Sequence, residues 1–460
     1  NVYSNTITTS GDSGYGALMD SSSNNSVYSN TITTSGSKGY GAWLDLSFNN
    51  SINNNNMTTT NITSYGVYIS NSYSNTIYEN NITTKNTTSS YGIYLLDEAV
   101  NNTFYRNRIS SLSLGILFNG TDTSFNGIGK IYNNIFTNDT IVPCTTGCAD
   151  NYADIVLTSN ATDITFLNVS FNKSRIAFMP RDLAFPVEKN NLTVQWYLSV
   201  NVTNSTNNNP MQGAEVVINN SIAVNVFTGN TNAEGGIPTI VVTEFTMNGT
   251  VPWGYNDSCF GVISSLVTEN LTCFSPFNIS VNLTGYDKNL TSVIVNRSKF
   301  VNISMVMPDT TKPRLNASLN NLSSDFVQGK LVNMTANVTD ETALSFCQFI
   351  DNQSLSDGAK NFFNKTVAGT DDQCSQNYTI GLPLGSVINF TVIVNDTSNN
   401  VNWSQQIITV LEITPPSINA SLDDSTPVFG QIVNMTANVS DDVGLSFCQF
   451  IDNQSLSNGA

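Results

Sequence analysis

A nine-residue segment near the start of the chain occurs twice, 25 residues apart. Val2–Ser10 reads Val-Tyr-Ser-Asn-Thr-Ile-Thr-Thr-Ser, and Val27–Ser35 repeats it letter for letter. The apolar position that opens this segment returns in steps of 25 or 27 residues, at Val2, Val27, Ile52, Ile77, Phe104 and Ile131. A fixed period of this length is the sequence signature of a solenoid in which each repeat forms one coil.

Each predicted coil carries the same few residue types. Asparagine stands three residues after the opening position, with an apolar residue two positions later. A second asparagine precedes the opening position, and glycine recurs in mid-coil, where a turning chain can require positive φ. The first asparagines are Asn5, Asn30, Asn55, Asn80, Asn107 and Asn134, the second are Asn25, Asn50, Asn75 and Asn102, the apolar residues are Ile7, Ile32, Met57, Ile82, Ile109 and Phe136, and the glycines are Gly16, Gly41, Gly66, Gly92 and Gly115.

Alternation within the coils predicts short strands. Gly66–Ser70 and Gly92–Leu95 place every second side chain on one face, as the two-residue period of a strand requires. Strands this short cannot bury an apolar face alone, so neighbouring coils must stack into one core. Equivalent asparagines would then hydrogen-bond along the stack, although such a row can also line a ligand groove. We predict a right-handed parallel β-helix over residues 1–186.

A different pattern follows the predicted solenoid. Leu192–Val202 reads as a strand, Met211–Ile218 contains an Xaa-Gly-Ala-Xaa-Val segment, and Thr231–Ile237 is a glycine-containing turn before the apolar run Ile240–Thr246. This order resembles the transthyretin-like, carboxypeptidase-regulatory-like β-sandwich. The resemblance implies a spacer module without catalytic residues, which we assign to residues 187–309.

The last part of the chain contains a repeat of about 101 to 103 residues. The matching segments are Leu315–Leu319 with Ile418–Leu422, Val332–Val338 with Val433–Val439, and Ser345–Ser354 with Ser446–Ser455. Short strands and turns over this length are typical of an immunoglobulin-like sandwich. We predict one such module over residues 310–412 and a truncated second over 413–460. The predicted fold class is all-β: a right-handed parallel β-helix followed by β-sandwich modules in tandem.

The charge balance argues against one class of partner. Seventeen Lys and Arg residues against 34 Asp and Glu residues give a formal net charge of −17, and charged residues make up 11% of the chain. Proteins that bind nucleic acid place basic side chains against phosphates, so we predict no nucleic-acid partner. Neutral polar groups, or something attached to them, must therefore keep the surface soluble.

Asparagine-linked glycan is the attachment that the sequence favours. The chain contains 38 Asn-X-Ser/Thr sequons, against roughly 16 expected for this composition in random order. Turns and strands rich in Asn and Thr also generate sequons that carry no sugar. The candidate sites are Asn24, Asn49, Asn61, Asn81, Asn119, Asn168, Asn191, Asn201, Asn248, Asn278, Asn282, Asn302, Asn316, Asn333, Asn337, Asn389, Asn395, Asn419, Asn434 and Asn438.

Six of the seven cysteines are spaced as disulfide pairs. The predicted bonds are Cys144–Cys148, Cys259–Cys273 and Cys347–Cys374. Such bonds indicate an oxidising, extracellular or cell-surface location, whereas a zinc site would need histidine or a cluster of four cysteines, and the chain has neither. Cys448 repeats Cys347, but its partner would fall beyond Ala460, and Asn1 lies inside a coil. We therefore expect the chain to be part of a longer protein.

The coil pattern carries a wider resemblance. Val-Tyr-Ser-Asn-Thr-Ile with a mid-coil Tyr-Gly, as at Tyr40-Gly41, resembles the parallel β-helix repeats of pectin-lyase-like proteins. The pattern is most similar to that of archaeal surface proteins related to the copper-enzyme maturation β-helix family, in which transthyretin-like and Ig-like modules often follow the β-helix. The resemblance covers the whole chain at the level of architecture and implies a cell-surface protein of archaeal type, but a β-helix alone does not specify an activity.

Catalysis by the solenoid is not favoured. Glycoside hydrolysis needs a close pair of carboxylates, and uronate elimination needs clustered acids that hold calcium and a basic proton acceptor. Asp20 and Asp45 are the acids in register, one coil apart, and Arg106 and Arg108 lie about two coils further on. Without histidine the commonest general base is missing. We predict no catalytic residues and no enzyme.

Acids near module ends raise one metal alternative. Asp340-Glu341, Asp441-Asp442 and Asp396 could bind calcium at module junctions, as in cadherin-like proteins. Solvated carboxylates in turns are the simpler interpretation. We therefore predict no cofactor and keep calcium as the alternative.

These patterns favour a structural, heavily N-glycosylated extracellular surface protein that assembles with copies of itself as an S-layer, stalk or filament subunit. The alternative is an adhesin that grips polysaccharide or another cell through a solenoid face; a polysaccharide lyase or hydrolase is less favoured. The candidate binding surface is a row of tyrosines next to the inward apolar positions, so the alternation of a strand places them on the outer face. These are Tyr3, Tyr28, Tyr78, Tyr105 and Tyr132. Such aromatic rows also stabilise solenoids without binding anything.

Overall fold

The computed structural model of the chain describes residues 1–120, 130–150, 152–158, 160–178, 190–248, 271–353, 360–412, 414–441 and 444–451. These residues form two compact units, Asn1–Met307 and Pro308–Ala460. Strands dominate both units. The predicted all-β fold class is confirmed, with a β-solenoid followed by sheet modules.

The solenoid consists of short strands separated by bends. In chain order they are β1 (Val2–Tyr3), β2 (Thr6–Thr9), β3 (Ala17–Asp20), β4 (Ser26–Tyr28), β5 (Thr31–Thr34), β6 (Ala42–Asp45), β7 (Ser51–Asn53), β8 (Asn56–Thr59), β9 (Val67–Ser70), β10 (Thr76–Tyr78), β11 (Asn81–Thr84), β12 (Tyr91–Leu96), β13 (Thr103–Tyr105), β14 (Arg108–Ser111), β15 (Leu114–Asn119), β16 (Ile131–Tyr132), β17 (Ile135–Thr137), β18 (Thr140–Val142), β19 (Ala153–Leu157), β20 (Ala161–Thr162), β21 (Ile164–Leu167) and β22 (Ile176–Phe178).

Three parallel sheets run along the stack of coils. Sheet 1 contains β1, β4, β7, β10, β13, β17 and β21, sheet 2 contains β2, β5, β8, β11, β14 and β18, and sheet 3 contains β3, β6, β9, β12, β15, β19 and β22. Each of the first six coils therefore contributes one strand to each sheet, and the seventh contributes β21 to sheet 1 and β22 to sheet 3. Apolar residues of the three sheets point inward and are fully buried, as at Ile77, Ile82 and Leu95. This continuous core is what a single coil could not form alone.

Buried asparagines join each coil to the next. In the first ladder, the side-chain oxygen of Asn80 accepts the backbone N–H of Asn55 at 3.0 Å and its amide group at 3.0 Å. The Asn80 amide in turn donates to the carbonyl of Ile52 at 2.8 Å and to the side-chain oxygen of Asn107 at 3.0 Å. A second ladder through Asn50 and its counterparts repeats this pattern. The predicted ladders are therefore structural.

The sequence alignment of the sixth coil is wrong by five residues. Strand β17 pairs with β13 so that Phe136 lies opposite Phe104, a step of 32 residues. Asn134 consequently joins the second ladder, where its side-chain oxygen accepts the backbone N–H of Asn102 at 3.0 Å. The position that we assigned to Asn134 in the first ladder belongs to Asp139. An insertion between these coils preserves the chemical pattern while breaking the period.

Asp139 replaces an asparagine at the end of the first ladder. Its Oδ1 accepts the backbone N–H of Asn107 at 2.6 Å and the Asn107 amide at 3.0 Å, as an asparagine oxygen would. Its Oδ2 occupies the place of the amide donor, is buried and has no hydrogen-bond partner among the described residues. Burial raises the pKa of Asp139 to about 7, although both hydrogen bonds from Asn107 lower it. The neutral acid fits this position better than the carboxylate.

Asp139→Asn should stabilise the solenoid in a pH-dependent manner. Because the pKa of Asp139 is raised on folding from an ordinary value of 3.8 to about 7, its contribution is fully favourable below pH 4 and is lost as the pH rises through 7. We expect the free energies of unfolding of the variant and the wild type, measured by calorimetry, to agree near pH 4 and to differ by about 4 kcal/mol at pH 8, in favour of the variant. A difference that does not change with pH would contradict this account.

The mid-coil glycines allow close packing of the coils. The predicted reason, a positive φ angle, is wrong. None of Gly16, Gly41, Gly66, Gly92 and Gly115 has a positive φ. A Cβ atom on Gly66 would instead lie 2.1 Å from Cγ2 of Ile82 and 2.5 Å from the carbonyl oxygen of Gly92. Coils stack too closely here for any side chain. The positive φ angles of the solenoid fall mainly on polar residues at coil corners, for example Asn49 at 54°, with Leu46 at 45° as an apolar exception.

The solenoid continues into a β-sandwich within the first unit. Its strands are β23 (Asn191–Asn204), β24 (Glu215–Asn219), β25 (Asn225–Asn230), β26 (Ile240–Asn248), β27 (Leu271–Cys273), β28 (Phe277–Asn282), β29 (Asn289–Val293) and β30 (Lys299–Met305). The start of β23 pairs with β21, the last solenoid strand of sheet 1, and also with β26. The end of β23 pairs with β30. One long strand therefore ends the solenoid and begins the sandwich.

A buried ion pair reinforces this connection. Lys173, in the 3₁₀ helix Lys173–Arg175 at the end of the solenoid, lies 2.5 Å from Oε2 of Glu244 in β26. The Lys173 ammonium also donates to the carbonyl of Asn296 and lies 4.9 Å from the centre of the Trp196 ring. The Trp196 indole N–H donates to Glu244. Since Glu244 is fully buried, removing Lys173 alone would leave an uncompensated charge.

The second unit contains a two-sheet module and a further hairpin. Its strands are β31 (Arg314–Leu319), β32 (Leu331–Thr339), β33 (Leu344–Asp351), β34 (Asn361–Thr366), β35 (Asp371–Thr379), β36 (Val387–Asp396), β37 (Val401–Thr409), β38 (Ser417–Leu422) and β39 (Met435–Ser440), with a 3₁₀ helix at Ser323–Asp325. The first module has sheets β31-β32-β35 and β34-β33-β36-β37, and β38 pairs with β39. Cys347 in β33 and Cys374 in β35 form a disulfide between the two sheets.

Candidate functional site

Most candidate glycosylation sites lie on outward strand faces. On β32, Val332, Met334, Ala336 and Val338 are fully buried while the alternating residues, including Asn337, face away from the core. Asn333 is half-buried, and its amide donates to Asn377 on the neighbouring strand. The exposed candidates are Asn24, Asn49, Asn81, Asn278, Asn282, Asn302, Asn316, Asn337, Asn419, Asn434 and Asn438, and the half-exposed ones are Asn61, Asn119, Asn168, Asn191, Asn201, Asn333 and Asn389.

One candidate differs from the others. Asn395 is 8% exposed, and its side-chain oxygen is buried without a hydrogen-bond partner in the described part of the chain. A glycan on this amide would have to pass through packed protein. The side chain of Asn248 lies outside the described residues.

The predicted tyrosine row is interrupted. Tyr3 and Tyr28 stack with ring centroids 5.1 Å apart, and Tyr78 and Tyr105 stack at 4.6 Å, but Asn53 lies between the two pairs. Because the rings stack face to face in two pairs, one face of each ring is already covered by its tyrosine partner and is closed to a sugar.

Tyr132 does not belong to that row. It forms a bridge with Val100, which continues through Tyr73 to Phe48 on an adjacent line of the solenoid. The error follows from the same five-residue insertion that displaced Asn134. Tyr73, Val100 and Tyr132 line an open groove of about 560 Å³ together with Glu98, Asn101 and Lys130. Here Tyr73 is 47% exposed and Tyr132 is 38% exposed.

A larger aromatic ladder was not recognised from the sequence. Tyr15, Tyr40, Tyr65 and Tyr91 stack from coil to coil at 4.8 to 5.3 Å, and Trp43, Tyr68 and Tyr94 form a second column beside them at 5.1 to 5.7 Å. Edge-to-face contacts join the columns, for example between Tyr65 and Tyr94 at 4.9 Å. The recurring Tyr-Gly dipeptide and the Trp/Tyr position two or three residues later were the available signal.

This double ladder is built for stability. Tyr40 and Tyr65 are 8% and 7% exposed. Burial raises the pKa of Tyr40 to about 12, and it raises the pKa of Tyr65 and of Tyr68 as well. Aromatic pairs in these geometries contribute about 0.5 to 1.5 kcal/mol each beyond area burial. The ladder therefore stabilises the stacking of the strands in sheet 3. It presents mainly ring edges to solvent, because most ring faces are stacked on other rings.

The solenoid acids do not form a catalytic pair with the nearby arginines. Asp20 and Asp45 do lie opposite each other on β3 and β6, but Asp45 accepts a hydrogen bond from Ser70 at 2.7 Å. Arg106 forms an ion pair with Glu79 at 3.1 Å. Arg108 lies on β14 of sheet 2, on a different sheet from the two acids.

Three acids of the second unit come together. Asp309 precedes β31, Asp340 directly follows β32, and Asp396 ends β36, yet one carboxylate oxygen from each lies within 4.8 Å of the others. Asp340 and Asp396 are 7% and 1% exposed. Sequence reasoning selected these two and missed Asp309, which lies in a linker-like stretch.

Polar groups hold these three carboxylates in place. The Thr342 hydroxyl lies 2.7 Å from Oδ2 of Asp309 and 2.8 Å from Oδ2 of Asp340, so the two carboxylates share its single proton. The Asn400 amide donates to Asp396 at 2.8 Å and to the backbone carbonyl of Asp309 at 3.1 Å. The Thr342 hydrogen bond, followed by that of the Thr311 backbone, lowers the pKa of Asp309. Glu341 does not join this group, and Asp442 lies outside the described residues.

Four of the described cysteines form two of the predicted disulfides. Cys144 and Cys148 form a disulfide, as do Cys347 and Cys374. Cys259 lies outside the described residues, so the predicted Cys259–Cys273 bond stays a prediction. Cys448 is exposed.

Comparison with known families gives one match. A sequence model of the family described as "Periplasmic copper-binding protein (NosD)" matches residues 3–152. This stretch comprises most of the solenoid and about a third of the chain. No curated protein matches the chain. Within the described residues, no helix has the length and apolar character needed to cross a membrane.

Solved structures give only weak likenesses. BcpA, the major pilin subunit of Bacillus cereus, is 12% identical over 54% of this chain and 82% of its own, with a TM-score of 0.21. A tetra-tandem repeat from the extending region of a large adhesion protein is 16% identical, and the match covers 54% of this chain and 56% of that one, with a TM-score of 0.22. The major pilin SpaD of Corynebacterium diphtheriae is 10% identical, and the match covers 52% of this chain and 70% of that one, with a TM-score of 0.18. Likenesses at these scores carry no argument about this chain.

Proposed function

We propose that this chain is a non-catalytic structural component of an extracellular surface assembly, heavily N-glycosylated, with an S-layer, stalk or filament as its context. The observation that carries the proposal is the placement of the sequons. Most of the described candidate sites lie on the outward faces of strands whose inward faces form the core, as at Asn337 between the buried Ala336 and Val338. Sugar on these faces would supply the solubility that a chain with 11% charged residues lacks.

Mechanical continuity supports the same proposal. The ladders link successive coils, β23 links the solenoid to the sandwich, and a disulfide links the sheets of the next module. Disulfides also suit an oxidising extracellular location. We propose functional modules at residues 1–186, 187–309, 310–412 and 413–460, with the first two acting as one body. The coil pattern resembles that of archaeal surface proteins, so we propose an archaeal-type cell surface.

Copper binding does not fit the residues of the matched stretch. Copper sites in proteins use histidine, cysteine and methionine ligands. Residues 3–152 contain no histidine, Cys144 and Cys148 are joined in a disulfide, and Met19 and Met57 lie in the solenoid core. We therefore assign no role to copper.

A second candidate function is polysaccharide binding, which would make the protein an adhesin. The groove beside Tyr73 and Tyr132 favours it, because both rings are partly exposed and Lys130 and Glu98 supply polar contacts. This groove is a better candidate than the stacked tyrosine row, in which Asn53 interrupts the row and one face of each ring is covered by its partner.

Electron cryo-tomography of native surface material tests the proposal. We expect a regular lattice or filament with sugar density at exposed sequons such as Asn337 and Asn278. Asn395 is the internal control, because its burial predicts that it carries no sugar even though its sequon is intact. Isolated monomers without sugar at the exposed sites, or with polysaccharide lying along the Tyr73 groove, would contradict the structural assignment.

A further inference from the structure

We propose that Asp309, Asp340 and Asp396 bind a divalent cation of the calcium class at one end of the first module of the second unit. Their carboxylate oxygens lie within 4.8 Å of one another, and no lysine or arginine among the described residues forms an ion pair with them. Three like charges at this separation repel one another and favour a bound cation. This inference does not depend on the proposed glycosylation or assembly.

A buried carboxylate oxygen of Asp340 that lacks a hydrogen-bond donor among the described residues indicates a bound cation. Asp340 is 7% exposed, and its Oδ1 has no hydrogen-bond partner in the part of the chain that the structure describes. Its Oδ2, by contrast, accepts the backbone N–H groups of Thr342 and Ala343 and the Thr342 hydroxyl. Turn chemistry therefore accounts for one oxygen of this carboxylate and leaves the other without a donor. A cation coordinated by Oδ1 would satisfy it.

The donor set selects the class of cation. All three candidate ligands are carboxylates, the oxygen donors that hard cations prefer. They come from three separate segments of the chain, so their spacing can adjust to the coordination distances of about 2.3 to 2.6 Å that calcium uses. Magnesium demands a smaller and nearly ideal octahedron, which such a site supplies less readily.

The chain repeat carries the same acids again. Two of the three positions have counterparts within the sequence: Glu412 occupies the position of Asp309, and Asp441 that of Asp340. The backbone N–H of Thr414 donates to Glu412 as that of Thr311 does to Asp309. The backbone N–H of Gly444 likewise donates to Asp441, in the place that Ala343 takes at Asp340. An acidic side chain and its turn hydrogen bond therefore recur together at these two positions.

Cation binding would have a mechanical consequence. It would tie the segment that carries Asp309, at the start of the second unit, to the turns that follow β32 and β36. Extracellular modules typically bind calcium with dissociation constants of about 10⁻⁴ to 10⁻³ M. The start of this module would then be stiff in calcium-containing medium and looser without it.

Calorimetric titration of the full chain, freed of metal with a chelator, tests the site. We expect calcium chloride to bind with a dissociation constant of about 10⁻⁴ to 10⁻³ M, magnesium chloride at least several-fold more weakly, and calcium to raise the unfolding temperature. Asp340→Ser and Asp396→Ser should each weaken calcium binding at least tenfold. Serine is preferred to asparagine because asparagine at either position would create a new sequon.

Asp372→Ser is the matched control, because Asp372 also accepts turn N–H groups in the same module but lies outside the cluster. It should bind calcium as the wild type does. If a buried variant fails to fold, Asp309→Ser carries the test, since Asp309 is half-exposed. Absence of calcium binding by the wild type would overturn the proposal. Wild-type affinity in the folded cluster variants would also overturn it.

Discussion

The hydrogen bonds of the buried asparagine ladders are the interaction on which the solenoid depends. Each inward turn of a coil leaves backbone N–H and carbonyl groups that no strand pairing satisfies, and an asparagine side chain supplies one acceptor and two donors. Asn80 uses all of them, toward the coil before and the coil after. An apolar residue there would leave several buried groups unpaired, each at a cost of about 1 to 3 kcal/mol. The ladder therefore fixes both the register and the spacing of the coils.

The register of the coils then determines which side chains lie above one another along the solenoid. Once coils stack in step, equivalent side chains lie above one another, which aligns Tyr40 and Tyr65 into an aromatic ladder and leaves no room for a side chain at Gly66. The same stack must end somewhere. Pairing of β21 with β23 transfers its last strand into a sandwich, where Glu244 and Lys173 secure the connection. A solenoid edge is thereby covered by another module, so that it cannot pair with foreign strands.

Much of this was predictable from the sequence, because the period and the two-residue alternation are local patterns. The solenoid, its asparagine ladders and the all-β modules followed from them. The register of the coil after the insertion could not be predicted in this way. Only the pairing of strands in three dimensions shows that Asn134 belongs to the second ladder and Asp139 to the first. Asp309 was missed for a related reason: nothing near it in sequence signals its approach to two acids elsewhere in the module.

The ladder account is tested most directly by hydrogen exchange on a pair of adjacent variants. Asn80 is buried in the ladder, whereas Asn81 is exposed and its side-chain amide donates a hydrogen bond to Asn56 on the solenoid surface. In Asn80→Ala, the amide of Asn55 loses its acceptor, and we expect it and neighbouring coil amides to exchange at least 100-fold faster, equivalent to about 3 kcal/mol. Asn81→Ala should leave exchange unchanged. Equal exchange in the two variants would show that the asparagine ladder does not hold the coils together.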